Sequence, residues 1–148
     1  VIAVDVNILV YAFRADLPQH VAARPLLAGL REGDSAWGVP TDVIAGFLRL
    51  VTNARVFRTP ATLEEALAFV VALRASPSLT LLRPGPRHLD LFLQLCAAAR
   101  ARGKLVPDAW LAAIAVEHGC TWWSSDRDFA RFDGLTWEDP LAQAPPSQ

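Results

Sequence analysis

The chain opens on Val1-Ile2-Ala3-Val4-Asp5-Val6, an almost wholly apolar and largely β-branched run broken by one carboxylate. A run of this kind fits a strand buried on both faces, as in parallel sheets covered by helices on each side. Shorter apolar stretches recur at 35–39, 78–82 and 121–123, and segments with helical spacing separate them. Helices are expected at about 19–31, 41–53, 62–75, 86–102 and 108–118. Strands and helices that alternate in this way are the signature of an α/β fold. Thr62, followed by Glu64 and Glu65, places a cap and acids in a first turn. Pro86 suits a helix start, and Gly103 and Gly119 stand where helices are expected to stop.

A length of 148 residues bounds the chain to about one domain. With 53% hydrophobic and 20% charged residues, it is neither disordered nor a charged coiled coil. Apolar runs are too short for a membrane span, and no basic segment precedes the first of them. Fourteen Lys and Arg against fifteen Asp and Glu give a net charge of -1, so bulk attraction to nucleic acid carries no functional argument. Cys96 and Cys120 lack metal or disulfide spacing and read as reduced core residues of a cytoplasmic protein. Residues 1–140 are expected to form the domain, and 141–148, with Pro145-Pro146, a flexible tail.

Local arrangement is more informative. A carboxylate in a buried strand is costly unless it is paired or binds a metal. Asp5 sits near the carboxyl end of its run, where open parallel sheets place their ligand sites. Trp122-Trp123-Ser124-Ser125-Asp126 repeats the pattern, and Asp108 follows Val106-Pro107 at the opening of an apolar helix. Singly, Asp108 and Asp126 read as helix caps and Asp5 as an arginine partner. Together, three acids at one sheet edge repel one another unless a cation relieves them. Oxygen donors without His or Cys select hard ions, Mg²⁺ or Mn²⁺, and such ions serve phosphoryl transfer through an activated water. His20, His88 and His118 share no ligand spacing, and no nucleophilic Ser-His-Asp or Cys-His pattern is present.

Three blocks carry a family resemblance: Val1 to Ala12 with Asp5 and Asn7, the Val106-Pro107-Asp108-Ala109 helix start, and Ser125-Asp126-Arg127-Asp128-Phe129-Ala130-Arg131-Phe132. In this order and spacing they resemble the PIN-domain ribonucleases, specifically the toxins of VapBC toxin-antitoxin systems, from Val1 to about Pro140. The resemblance implies a three-layer α/β/α sandwich with a mainly parallel central sheet. It also implies a Mg²⁺- or Mn²⁺-dependent endoribonuclease, a homodimer, and a cognate antitoxin that occludes the cleft. One position departs from the family. A glutamate usually precedes Phe-Leu-Arg on the third helix, and here Gly46 precedes Phe47-Leu48-Arg49. Asp42, four residues earlier, is expected to point away from the vacated position.

Around the three acids, Asn7, Ser124 and Ser125 are candidate supporting groups, and Asp128 a candidate further oxygen ligand. Each also reads as a turn, cap or solvated residue. Arg100, Arg102 and Lys104 are candidate RNA-backbone contacts, or a basic helix end. Trp122 and Trp123 are expected to pack rather than stack on bases. The leading functional reading is RNA hydrolysis by Asp5, Asp108 and Asp126 with their ion, weakened by Gly46. The alternative is a catalytically inactive module that binds antitoxin or RNA. A phosphatase with Asp5 as nucleophile ranks last, because Asn7 stands where a second acid is wanted.

Overall fold

The computed structural model describes residues 1–142; of the expected tail, 143–148 lie outside the described residues. Five strands, β1 (Ile2–Val4), β2 (Trp37–Pro40), β3 (Leu79–Leu82), β4 (Thr121–Trp123) and β5 (Thr136–Glu138), form one sheet in the order β3-β2-β1-β4-β5. Every pairing is parallel. Six helices connect them: α1 (Val6–Phe13), α2 (His20–Glu32), α3 (Thr41–Val51), α4 (Leu63–Arg74), α5 (His88–Ala99) and α6 (Leu105–Glu117). The chain starts at the sheet centre, builds outward through β2 and β3, then returns to β4 on the other side of β1. Because the crossovers run first to one side of β1 and then to the other, helices cover both faces, giving the expected α/β/α layering. Ala3, Val4, Trp37, Val39 and Trp122 are fully buried, as the sheet of such a sandwich requires. No described helix is long and apolar enough to cross a membrane.

The N-terminal run differs from the expected six-residue strand. β1 ends at Val4, and Asp5 caps α1 by accepting the Val6 N–H. Ile8, Leu9, Val10 and Ala12 are all buried, so α1 carries no polar stripe and its sequence sets up no expectation of a helix. At the far side, α5 stops at Ala99 rather than near 102. Arg100 takes the left-handed conformation, φ 52°, and the Ala101 N–H donates to the Cys96 carbonyl at 2.9 Å. Gly103, φ 57°, belongs to the following turn. α6 then begins at Leu105, three residues earlier than expected, because Pro107 is tolerated in a first turn whose N–H groups have no intrahelical partner. β5 escaped the sequence reading altogether, being three residues at an exposed edge.

α4 begins as its sequence indicates. Thr62 Oγ1 accepts the Glu65 N–H at 3.1 Å, and Glu65 returns a carboxylate to the Thr62 N–H at 3.3 Å. Thr62→Ala is expected to lower stability by about 1 kcal/mol, read as a lower urea midpoint with an unchanged m value. An unchanged midpoint would mean that this reciprocal cap contributes nothing.

Candidate active site

β1 and β4 run in register, Val4 opposite Trp123, so the residues after each strand emerge side by side at the point where strand order reverses. The Asp5 N–H extends the pairing to the Trp123 carbonyl at 2.9 Å. Asp5 is 3% exposed. Its Oδ1 accepts the Val6 N–H at 2.7 Å, and its Oδ2 accepts the Ser124 hydroxyl at 2.6 Å and the Asn7 amide at 3.3 Å. The Asn7 amide also donates to Ser124 Oγ at 3.0 Å, while its carbonyl accepts the Ser125 N–H at 3.1 Å. Ser124 Oγ in turn accepts the Asp126 N–H at 3.1 Å. Asn7 and Ser124 thereby bind the two strand ends together, and Ser125 takes part through its backbone.

Asp126 Oδ1 accepts the Asp128 N–H at 3.0 Å, opening a 3₁₀ turn over Arg127–Arg131. This is the capping role, but only one oxygen is used for it. The other accepts the Lys104 ammonium at 2.6 Å. Lys104 Nζ also reaches Asp108 Oδ2 at 2.9 Å and Asp128 Oδ2 at 3.6 Å. Asp108 is not a helix cap, since α6 starts three residues before it. Among the described residues, Asp108, Asp126 and Asp128 bring carboxylate oxygens within 4.8 Å of one another. Asp5 lies close enough to this trio that Asp108 and Asp126 act on its charge.

Burial is the main cause that raises the Asp5 pKa to about 6, against the Ser124 and Val6 hydrogen bonds; the charges of Asp108 and Asp126 add to the rise. Burial likewise raises Asp108, with Lys104 opposing it. For Asp126 burial acts upward, yet the Lys104 and Asp128 hydrogen bonds hold the carboxyl below its usual range. Burial acts against the Lys104 charge, and its bonds to Asp126 and Asp108 outweigh that and keep it protonated. The donor set suits a hard cation: oxygens only, converging, with one positive group already seated among them.

Beside Asp5 lies a cavity of ≈ 440 Å³ whose walls include Val6, Val43, Val106, Leu111, Asp42 and Gly46. A Cβ at Gly46 would meet only Val6 Cγ2, at 3.8 Å, so a longer side chain there would enter this cavity. Asp42, exposed and one turn earlier on α3, also contributes to the wall of this cavity. Arg100 and Arg102 are exposed on the turn between α5 and α6 and make no ion pair with the acids. Lys104, grouped with them by sequence, turns into the acidic trio instead. Its spacing of four from Asp108 was the available signal.

The three histidines lie outside the site and are satisfied: His20, His88 and His118 each bond a backbone carbonyl at 2.8–2.9 Å. Trp122 is fully buried, in keeping with packing.

A profile of the PIN domain matches residues 2–135. The chain is 49% identical over 140 residues to VapC ribonuclease Mb2897 of Mycobacterium bovis, covering 95% of each. It is 50% identical over 129 residues to Ribonuclease VapC25 of Mycobacterium tuberculosis, covering 87% of this chain and 91% of that one. Two solved structures share the fold. VapBC2 from Rickettsia felis, bound to a DNA fragment from its promoter, gives a TM-score of 0.69 at 16% identity over 92% of this chain and 96% of that one. Mycobacterium tuberculosis VapC20, described as a Sarcin-Ricin loop cleaving toxin, gives 0.66 at 19% over 91% and 98%. With its three motif blocks gathered at the switch point of this sheet, the chain belongs to the PIN domain family, in its VapC branch.

Proposed function

We propose that this chain is a Mg²⁺- or Mn²⁺-dependent endoribonuclease toxin that cuts RNA phosphodiesters and is neutralised by a cognate antitoxin. The observation that carries the reading is the convergence of Asp108, Asp126 and Asp128 on one cation position, with Asp5 close to them. The names of the mycobacterial relatives support ribonuclease chemistry. Asp5, Asp108 and Asp126 would hold the ion, with Asp128 as a further oxygen ligand. When bound, such an ion supplies Lewis acidity toward a phosphodiester oxygen and toward an attacking water. Ser124 and Asn7 fix the Asp5 carboxylate through Oδ2. Arg100 and Arg102 suit contacts to the RNA backbone.

Exposed apolar residues support partners. Leu63, Leu67 and Val71 follow one another at spacings of four on α4, and Leu89 and Leu93 do so on α5. A homodimer and an antitoxin segment are the occupants proposed for such faces, and light scattering at micromolar concentration is expected to show more than a monomer. Cleavage of a single-stranded RNA tests the activity. It is expected with Mg²⁺ or Mn²⁺ and lost in EDTA; no cleavage with either ion would leave the inactive binding module as the better account.

That second reading is favoured by one observation, the space left at Gly46 beside Asp5. A missing carboxylate there lowers the number of oxygens available to the ion. Gly46→Ala is expected to gain approximately 1 kcal/mol of stability from the helix interior alone. Gly46→Glu is expected to tighten divalent-ion binding and quicken cleavage, an effect absent in EDTA. Unchanged cleavage rate and ion dependence in Gly46→Glu would remove Gly46 from the site.

A further inference from the structure

Lys104 is the single lysine of the chain, and its ammonium contacts all three carboxylates of the trio, at 2.6 Å to Asp126, 2.9 Å to Asp108 and 3.6 Å to Asp128. Among the described residues no other cationic side chain pairs with these acids. The side chain is nonetheless 66% exposed, so its stem is held chiefly at its charged end. A lysine ammonium is a compact point charge on a flexible stem, unlike the planar fork of arginine. It therefore sits where a cation is most favoured and has an open path to leave.

We propose that Lys104 is a tethered counter-cation of the acidic trio, which its ammonium and the divalent ion occupy alternately. This rests on the reading of the trio as the ion site given above. The oxygens lie within 4.8 Å of one another, which leaves a single central position. An ion bound to them at the roughly 2.0–2.2 Å typical of Mg²⁺ and similar ions cannot share it with an ammonium at hydrogen-bond distance. Like charges that close also repel strongly. Loading the ion therefore requires Lys104 to swing outward. The residue raises the ion concentration at which the site fills and offsets part of the acids' charge until then. Through this exchange it acts as a positioning residue, not a ligand.

Because there is one lysine, ¹³C-lysine labelling gives a single side-chain signal, and calorimetry with Mn²⁺ reads the affinity independently. In the wild-type protein, Mg²⁺ is expected to shift the Lys104 Cε signal toward that of a free lysine, with the same midpoint as ion binding. Lys104→Gln is expected to bind Mn²⁺ about tenfold more tightly, whereas Lys104→Arg, which keeps a charge, stays nearer to wild type. Exposure of the side chain makes both variants compatible with the fold, and circular dichroism checks it. If Mn²⁺ binds the wild type but Lys104→Gln binds it equally or more weakly, the exchange is refuted and the ion site stands. If neither protein binds Mn²⁺ or Mg²⁺, the ion site itself is refuted, and this inference with it.

Discussion

Asp108→Asn is expected to weaken Mn²⁺ binding by at least about 100-fold and to slow RNA cleavage by a similar factor, since loss of a ligand exceeds the effect of losing its supporting partner. The fold should survive. Asp108 lies in the first turn of α6 with 9% exposure and a single side-chain partner, Lys104, to which an asparagine oxygen still presents an acceptor. Near-isosteric exchange also leaves the packing of Ala109, Ala112 and Ala113 along α6 untouched. Calorimetry and a thermal melt decide the matter together. Equal Mn²⁺ affinity in the variant removes Asp108 from the ion site, whereas a collapsed melting transition shows that its role is structural.

The second large effect concerns Asp5 and pH. Its folded-state pKa of about 6 lies above the ordinary 3.8, so the folded protein holds the proton more tightly than the unfolded chain. Stability linked to this group is therefore fully present below about pH 4 and lost as pH rises through 6. The shift corresponds to about 3 kcal/mol when each pKa unit contributes 1.36 kcal/mol. Asp108, also raised, adds in the same direction. Asp126 and Glu117, both lowered, act oppositely and at lower pH. In EDTA, Asp5→Asn should abolish most of the decline between pH 4 and 6 that the wild type shows. Asparagine retains an acceptor for the Val6 N–H, so α1 keeps its cap, while the acceptor offered to Ser124 and Asn7 is lost at a cost that does not vary with pH. Urea denaturation across this range gives the result; an Asp5→Asn protein that declines as steeply as wild type would show that Asp5 is not held protonated by burial.

The parts legible in the sequence were those whose cause is local. Thr62 and Glu65 announce α4 because a capping box lies within four residues, and Gly119, φ 65°, ends α6 where a left-handed residue is wanted. The alternation of apolar runs with helical segments disclosed the parallel sheet. α1 was hidden because burial on nearly every side erases helical periodicity, so the sequence reading placed no helix over Val6 to Phe13. Asp5 and Asp126 were recognisable as strand-end acids, but their linkage through Ser124 spans 119 residues and depends on the register of β1 with β4. Lys104 was assigned to the RNA side by its company, Arg100 and Arg102. Its contact with Asp126 is a tertiary one, 22 residues apart, and follows from where α6 begins. Asp42 and Gly46 share the cavity wall because residues four apart lie on one face of α3.

The central claim is that the acids at the β1–β4 switch form a divalent-ion site. Anomalous scattering from a Mn²⁺-soaked crystal tests it most directly, because it locates the ion without reference to activity. The account predicts a peak bounded by the side-chain oxygens of Asp108, Asp126 and Asp128, on the side facing Asp5, with the Lys104 ammonium displaced from their midst. A well-ordered crystal with saturating Mn²⁺ and no peak among these carboxylates, Lys104 remaining in place, would contradict it.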